Sequence, residues 1–128
     1  MPTVLIADDN ADGRELLRDH LESWGFRVLE ACDGQEALIN AARYLPDAIL
    51  LDVQMPRLDG FAVLRKLRED GRLSATPVLA VTACAWNGTR DRALEAGFIE
   101  CFAKPVDYRA LRDELEKLLC AAFSGQKA

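Results

Sequence analysis

Five residues of the 128-residue chain carry the functional chemistry: Asp8, Asp9, Asp52, Thr82 and Lys104. Each alone has an ordinary reading. Asp8-Asp9 serves equally well as a helix cap, Thr82 as a loop hydroxyl and Lys104 as a solvated charge. If one edge of the fold gathers them, the reading changes. Three carboxylates within a few ångströms repel one another by roughly several kcal/mol per pair under moderate screening, so they call for a cation. Oxygen-only donors in a partly open site favour Mg²⁺, with Mn²⁺ as the alternative, whereas zinc prefers nitrogen or sulfur. With the cation bound, a phosphoryl group is attracted rather than repelled, and Asp52 can serve as nucleophile to give an acyl phosphate. The cation, Lys104 and Thr82 would then share the charge on the phosphoryl oxygens.

The elements that must position these residues can be read from hydrophobic patterning. Residues 3–7 form a short β-rich apolar run that ends at Asp8-Asp9-Asn10. A helical period follows from Gly13, with Leu16, Leu17, His20, Leu21 and Trp24 on one face, and Gly25 stops it. Residues 26–31 read as a second strand. Asp33 and Glu36 then form a capping-box pattern for a helix with Ala37, Leu38, Ala41 and Ala42 inward, closed by Pro46. The apolar run 48–51, without polar alternation, predicts a strand covered on both faces that delivers Asp52, and Pro56 prevents its continuation. Asp59 is a plausible cap for a helix carrying Phe61, Leu64 and Leu67 and ending at Gly71. Residues 77–81 form a fourth strand that ends at Thr82. Asn87-Gly88 marks a turn, and Thr89 is expected to cap a helix that stops at Gly97. Residues 98–103 form a fifth strand ending at Lys104-Pro105. A last helix starts at Asp107, with Leu111, Leu115, Leu118 and Leu119 on one side.

Five strand–helix alternations with short connections predict an α/β fold: a doubly wound, five-stranded parallel sheet, flavodoxin-like, in order 2-1-3-4-5. All strands then end at one edge. The first, third, fourth and fifth are contiguous, and the switch point falls between Asp8/Asp9 and Asp52. The second lies beyond the first, remote from the others.

Composition bounds the function. The 16 basic and 21 acidic residues give a net charge of −5, which argues against a general nucleic-acid or anionic-membrane binder. Cys32, Cys84, Cys101 and Cys120 are scattered without a C-x-x-C pair, and one histidine, His20, offers no zinc spacing. Reduced cysteines, no signal peptide and no run long enough to span a bilayer point to a soluble cytoplasmic protein. Residues 1–122 are expected to form the domain and 123–128 a polar tail.

The chain closely resembles the receiver domain of two-component response regulators from Val4 to about Leu119. The match includes Asp8-Asp9, the stretch Leu-Leu-Asp52-Val-Gln-Met-Pro-Arg-Leu-Asp-Gly60, Thr82-Ala83, Ala96-Gly97 and Lys104-Pro105. The resemblance implies that Asp52 is the phosphoacceptor. It also implies that Asp9, Asp52 and the Gln54 backbone carbonyl hold Mg²⁺, with Asp8 assisting through water. Thr82, the Ala83 backbone and Lys104 would contact the phosphoryl group. The peptide before Pro105 would be cis. The implied donor is a sensor histidine kinase or a histidine phosphotransfer protein, and the implied output is a protein–protein contact rather than turnover of a substrate. The responsive surface would comprise residues 89–96, 99–102 and 107–119.

One departure matters. Receivers commonly carry an aromatic residue or histidine three positions before the lysine, and here that position is Cys101, paired with Thr82 as the switch. Strand alternation turns Phe102 to the opposite sheet face, so it cannot substitute. Trp86 reads as a packing residue, His20 as a structural histidine, and Cys84 as a residue near the phosphoryl group that could tune its hydrolysis. An aspartate-nucleophile phosphohydrolase is disfavoured, because Gln54 stands where a second acid would be wanted. A flavodoxin-like electron carrier is disfavoured because acids, not hydroxyls and glycines, follow the first strand. The chain is expected to be a stand-alone regulator, a phosphorelay intermediate, or a receiver from a hybrid kinase.

Overall fold

A computed structural model of the chain describes residues 1–83 and 88–123, residues 120–123 as backbone only. Cys84, Trp86, Asn87, the Cys120 side chain and the tail 124–128 lie outside the described residues. The elements alternate as β1 (Thr3–Ala7), α1 (Ala11–Ser23), β2 (Arg27–Ala31), α2 (Gly34–Tyr44), β3 (Ala48–Asp52), α3 (Gly60–Glu69), β4 (Val78–Thr82), α4 (Thr89–Ala96), β5 (Cys101–Ala103) and α5 (Tyr108–Phe123). The strands form one parallel sheet in the expected order β2-β1-β3-β4-β5.

Period-two alternation divides the core between the two faces of this sheet. Leu5, Ile49, Leu51, Val78, Ala80 and Cys101 face α2, α3 and α4, where Ala37, Ala41, Val63, Leu64, Leu67 and Ala93 meet them. Val4, Ile6, Ala48, Leu50, Leu79 and Val81 face α1 and α5, against Leu17, Leu21, Leu111, Leu115 and Leu119. Every residue of β3 and β4 is buried, which is why their sequences show no polar alternation. Phe102 packs with the α1/α5 layer and Cys101 with the opposite one, as alternation requires.

Helix starts follow local polar chemistry, with one correction at α4. Asn10, not the preceding acids, caps α1 through a 3.0 Å bond that its Oδ1 accepts from Gly13 N, so Asp8 and Asp9 are left for other work. Gly88 precedes α4 without a side-chain cap, and Thr89 is its first helical residue. The expected cap fails because Gly88 adopts φ 81°, a left-handed turn in which the backbone itself makes the entry. Asp33, Asp59 and Asp107 accept bonds from the amides of Glu36, Ala62 and Ala110, as caps should. The capping box of α2 is displaced by one residue, since Glu36 reaches back to Cys32 N at 3.0 Å. On α1, Leu16 is half exposed and Trp24 falls after the last turn.

The fifth strand is shorter than patterning suggested. Phe98 is buried, but it packs edge-on against Phe61 at 5.7 Å before the strand begins at Cys101. An apolar residue there seals the turn after α4 instead of extending the ladder. His20 is structural: its Nδ1 bonds the Leu16 carbonyl at 3.0 Å, and its ring stacks on Tyr108 at 3.7 Å. The Lys104-Pro105 peptide is cis.

Candidate functional site

The parallel sheet brings the exit residues of β1, β3, β4 and β5 to one edge. Register places Ala7 beside Leu51, Asp52 beside Val81 and Thr82 beside Ala103, so Asp8, Asp52, Thr82 and Lys104 leave adjacent strands at matching heights. Carboxylate oxygens of Asp8, Asp9 and Asp52 all lie within 4.8 Å of one another. Asp8 and Asp52 are buried and Asp9 is exposed, so the cluster opens to solvent on the Asp9 side.

The two buried acids are held in the same way. Asp8 Oδ1 accepts from Asn10 N at 2.8 Å, and Asp52 Oδ1 accepts from Gln54 N at 2.9 Å. In each case an aspartate folds back onto the amide two residues on, the turn this side chain favours. The second oxygen of each is then free to meet Lys104, whose ammonium donates to Asp8 Oδ2 at 2.8 Å and to Asp52 Oδ2 at 3.0 Å. Lys104 itself is anchored by its backbone, Lys104 N donating to Thr82 O at 2.9 Å.

Charge and burial act in opposite directions here. Burial pushes the Asp52 carboxyl above its usual value, and the Gln54 amide and Lys104 only partly offset it. Burial draws the Lys104 ammonium down, but its bonds to Asp8 and Asp52 outweigh that and leave it raised. Three carboxylates against one ammonium leave two negative charges, all on oxygen donors. That donor set and that deficit fit a hard divalent cation.

Two glycines let the backbone close around the acid. A Cβ at Gly60 would stand 2.7 Å from Val53 Cα and 2.9 Å from Asp52 O. A Cβ at Gly34 would stand 2.6 Å from Leu58 O. Between them the chain turns sharply at Arg57, with φ 70° and Leu58 N bonded to Pro56 O at 2.8 Å. Such an i to i+2 bond across a positive-φ residue is a strained turn, and it returns the chain so that α3 starts beneath Asp52.

Thr82 is fully buried at the end of β4 and borders a cleft of about 190 Å³ with Gln54, Asp59, Phe61, Thr89 and Arg92. A second cleft of about 180 Å³ lies on the other side of Lys104. Leu16, Leu17, Pro105, Val106 and Tyr108 give it a mainly apolar lining. Cys101 is buried, which pushes its thiol up, and its carbonyl accepts from Arg90 at 3.4 Å. Arg90 also pairs with Glu100 at 2.7 Å, so α4 is tied to β5 beside Cys101. One contact was not foreseen: Arg14 donates to the Asp8 carbonyl at 2.7 Å. Its place one turn after the Asn10 cap is the only hint that the sequence offers.

The chain matches the family described as response regulator receiver domain over residues 4–116. It is 43% identical to the response regulator PleD of Caulobacter vibrioides over 104 residues, 81% of this chain and 23% of PleD. The chain thus spans about a quarter of that relative. It is 36% identical to the polar-differentiation response regulator DivK of Brucella anthropi, covering 81% of this chain and 85% of DivK. The receiver domain of the sensor histidine kinase PA1611 from Pseudomonas aeruginosa superposes with a TM-score of 0.84 at 33% identity. That match covers 91% of this chain and 96% of the other, and the structure was determined with a magnesium ion coordinated in its active-site cleft. By sequence and by fold, this chain belongs to the response regulator receiver domain family.

Proposed function

We propose that Asp52 accepts a phosphoryl group from a phosphohistidine on a partner protein, in a step that requires Mg²⁺. The observation that carries this reading is the Lys104 bridge between Asp8 and Asp52, with Asp9 completing the acid cluster at its open side. An Asp52 carboxylate oxygen attacks phosphorus, the phosphorus–nitrogen bond breaks, and the imidazole leaves with its electron pair and is then protonated. Asp9, Asp52 and the Gln54 carbonyl would hold Mg²⁺ (or Mn²⁺), with Asp8 assisting through water. When bound, the cation would offset the charge of the acids and of the transferring oxygens. Lys104 then exchanges a carboxylate for a phosphoryl oxygen. Thr82 and the Ala83 amide meet the remaining oxygens.

The domain, residues 1–122, acts as an acceptor and not as a turnover enzyme. Two residues after the nucleophile stands Gln54, whose amide cannot exchange protons as a second acid would. The apolar cleft beside Lys104 supports docking of a sensor kinase or histidine phosphotransfer protein there. The output is a protein contact at α4, β5 and α5. No nucleic-acid or membrane contact is assigned to this acidic surface, and no helix among the described residues is long and apolar enough to cross a membrane. We place the domain in the cytoplasm, as a stand-alone regulator, a relay intermediate or a receiver of a larger kinase. Intact mass after exposure to a small phosphodonor with Mg²⁺ tests the reading. A single phosphoryl adduct on the wild type that vanishes in Asp52→Asn is expected. No adduct, or an undiminished one in the variant, would sink it.

A further inference from the structure

We propose that Arg14 is a positioning residue for the cation site, pinning the Asp8–Asp9 peptide from behind; this rests on the Mg²⁺ reading above. Arg14 lies on the first turns of α1, half-buried, and pairs with no carboxylate oxygen of Asp8, Asp9 or Asp52. Its Nη1 donates to the Asp8 carbonyl at 2.7 Å, while its Nε donates to Glu30 Oε1 at 3.1 Å. Glu30 is itself fixed. It pairs with Ile6 across the β1–β2 ladder, its carbonyl accepts from Asn40 on α2 at 3.0 Å, and its second oxygen takes Arg18 at 2.9 Å. The rigid guanidinium fork thus joins β2, the edge strand that contributes no exit residue, to the one peptide that carries both Asp8 and Asp9.

That peptide needs an anchor because no other hydrogen bond among the described residues holds its outer half. Asp8 has its own turn and Lys104, but the exposed Asp9 carboxylate has no hydrogen-bond partner among the described residues. The orientation of Asp9 therefore depends on the peptide plane, and the Arg14 bond fixes that plane through its carbonyl. Groups that orient metal ligands without touching the metal typically change affinity by about 10–100-fold when removed.

The sign of the effect separates positioning from charge. Arg14 is a cation near the site, so its charge alone opposes an incoming Mg²⁺ and removing it should tighten binding. Positioning predicts the opposite. Arg14→Gln removes the charge and the fork. Arg14→Lys keeps the charge, but its ammonium is a point donor that cannot reproduce the planar fork between Glu30 and Asp8.

The experiment is a Mg²⁺ titration of the full chain by calorimetry for the wild type and both variants. Alongside it, amide spectra without Mg²⁺ read the hydrogen bond at the Asp8 carbonyl through the Asp9 amide. We expect the Mg²⁺ dissociation constant to rise about tenfold in Arg14→Gln and by a smaller factor in Arg14→Lys. The Asp9 amide should shift in both variants before any metal is added. Affinity equal to or tighter than wild type in Arg14→Gln overturns the proposal. If that variant does not fold, unchanged affinity in Arg14→Lys overturns it alone. A wild type that binds no Mg²⁺ overturns the cation reading itself, and is distinguished from unchanged variants of a binding wild type, which overturn only the role of Arg14.

Discussion

Lys104 Nζ lies 3.0 Å from Asp52 Oδ2, and the same ammonium lies 2.8 Å from Asp8 Oδ2, so one cation holds two buried acids together. Removing a partner from such a set leaves uncompensated charge, which costs more than the bond itself contributes. Lys104→Met is expected to lose about 2 kcal/mol of stability in Mg²⁺-free buffer, and to regain part of it when Mg²⁺ is added. Urea unfolding with and without Mg²⁺ measures both. In the wild type the lysine's contribution is full below its ordinary value of 10.5 and is lost as pH rises through its higher folded value.

Asp52 has the opposite character. Its folded pKa is raised by burial, so the folded state holds that proton more tightly than the unfolded chain does. The wild type therefore loses stability as pH rises from the ordinary value of 3.8 through the folded value. Asp52→Asn should be more stable than wild type near pH 7, and the gap should close towards acid pH. Denaturation midpoints across pH check this, and a gap that widens on acidification would contradict it.

Asp9 gives a cleaner probe of the cation. Its carboxylate is exposed and bonds to nothing among the described residues, so Asp9→Asn should change Mg²⁺-free stability by less than about 0.5 kcal/mol. At a hundred times its dissociation constant, Mg²⁺ should stabilise the wild type by about 2.7 kcal/mol. Most of that gain should vanish in the variant, and thermal unfolding against Mg²⁺ concentration reports both numbers.

Gly60 tests the scaffold. A methyl there meets Val53 Cα at 2.7 Å and Asp52 O at 2.9 Å, both backbone atoms that cannot swing away. Gly60→Ala is expected to cost about 1–3 kcal/mol. It should also slow phosphorylation, because the only relief is to move the Asp52 strand end. Full stability together with full phosphorylation would show that the loop is softer than its packing implies.

Cys101 is a small buried side chain at the position expected from the receiver resemblance to act as the switch. Cys101→Ala should leave the amide shifts that a beryllofluoride phosphoryl mimic induces across α4 largely unchanged. Loss of those shifts would make the thiol a relay. Arg90→Ala, by contrast, removes a half-exposed pair with Glu100 and should cost under about 1 kcal/mol.

Much of the site is legible in the sequence because periodicity is local. Four apolar residues before Asp52 require a strand covered on both faces, and five strands in one parallel sheet must end at one edge. That argument alone collects Asp8, Asp52, Thr82 and Lys104. The caps at Asp33, Asp59 and Asp107 were equally readable, since the bond spans three residues. Thr89 misled because a left-handed glycine can open a helix without any side chain, and Phe98 misled because an apolar residue can seal a turn as well as extend a strand.

The sequence by itself therefore determined the sheet, its polar edge and the kinds of atoms gathered there, because these follow from hydrophobic period and the common direction of parallel strands. Only the tertiary structure decided the pairings. Lys104 bridges residues 96 and 52 positions away, and Arg14 reaches Glu30 across the β2 edge. Such contacts depend on strand register and helix rotation, which depend on the whole core packing at once.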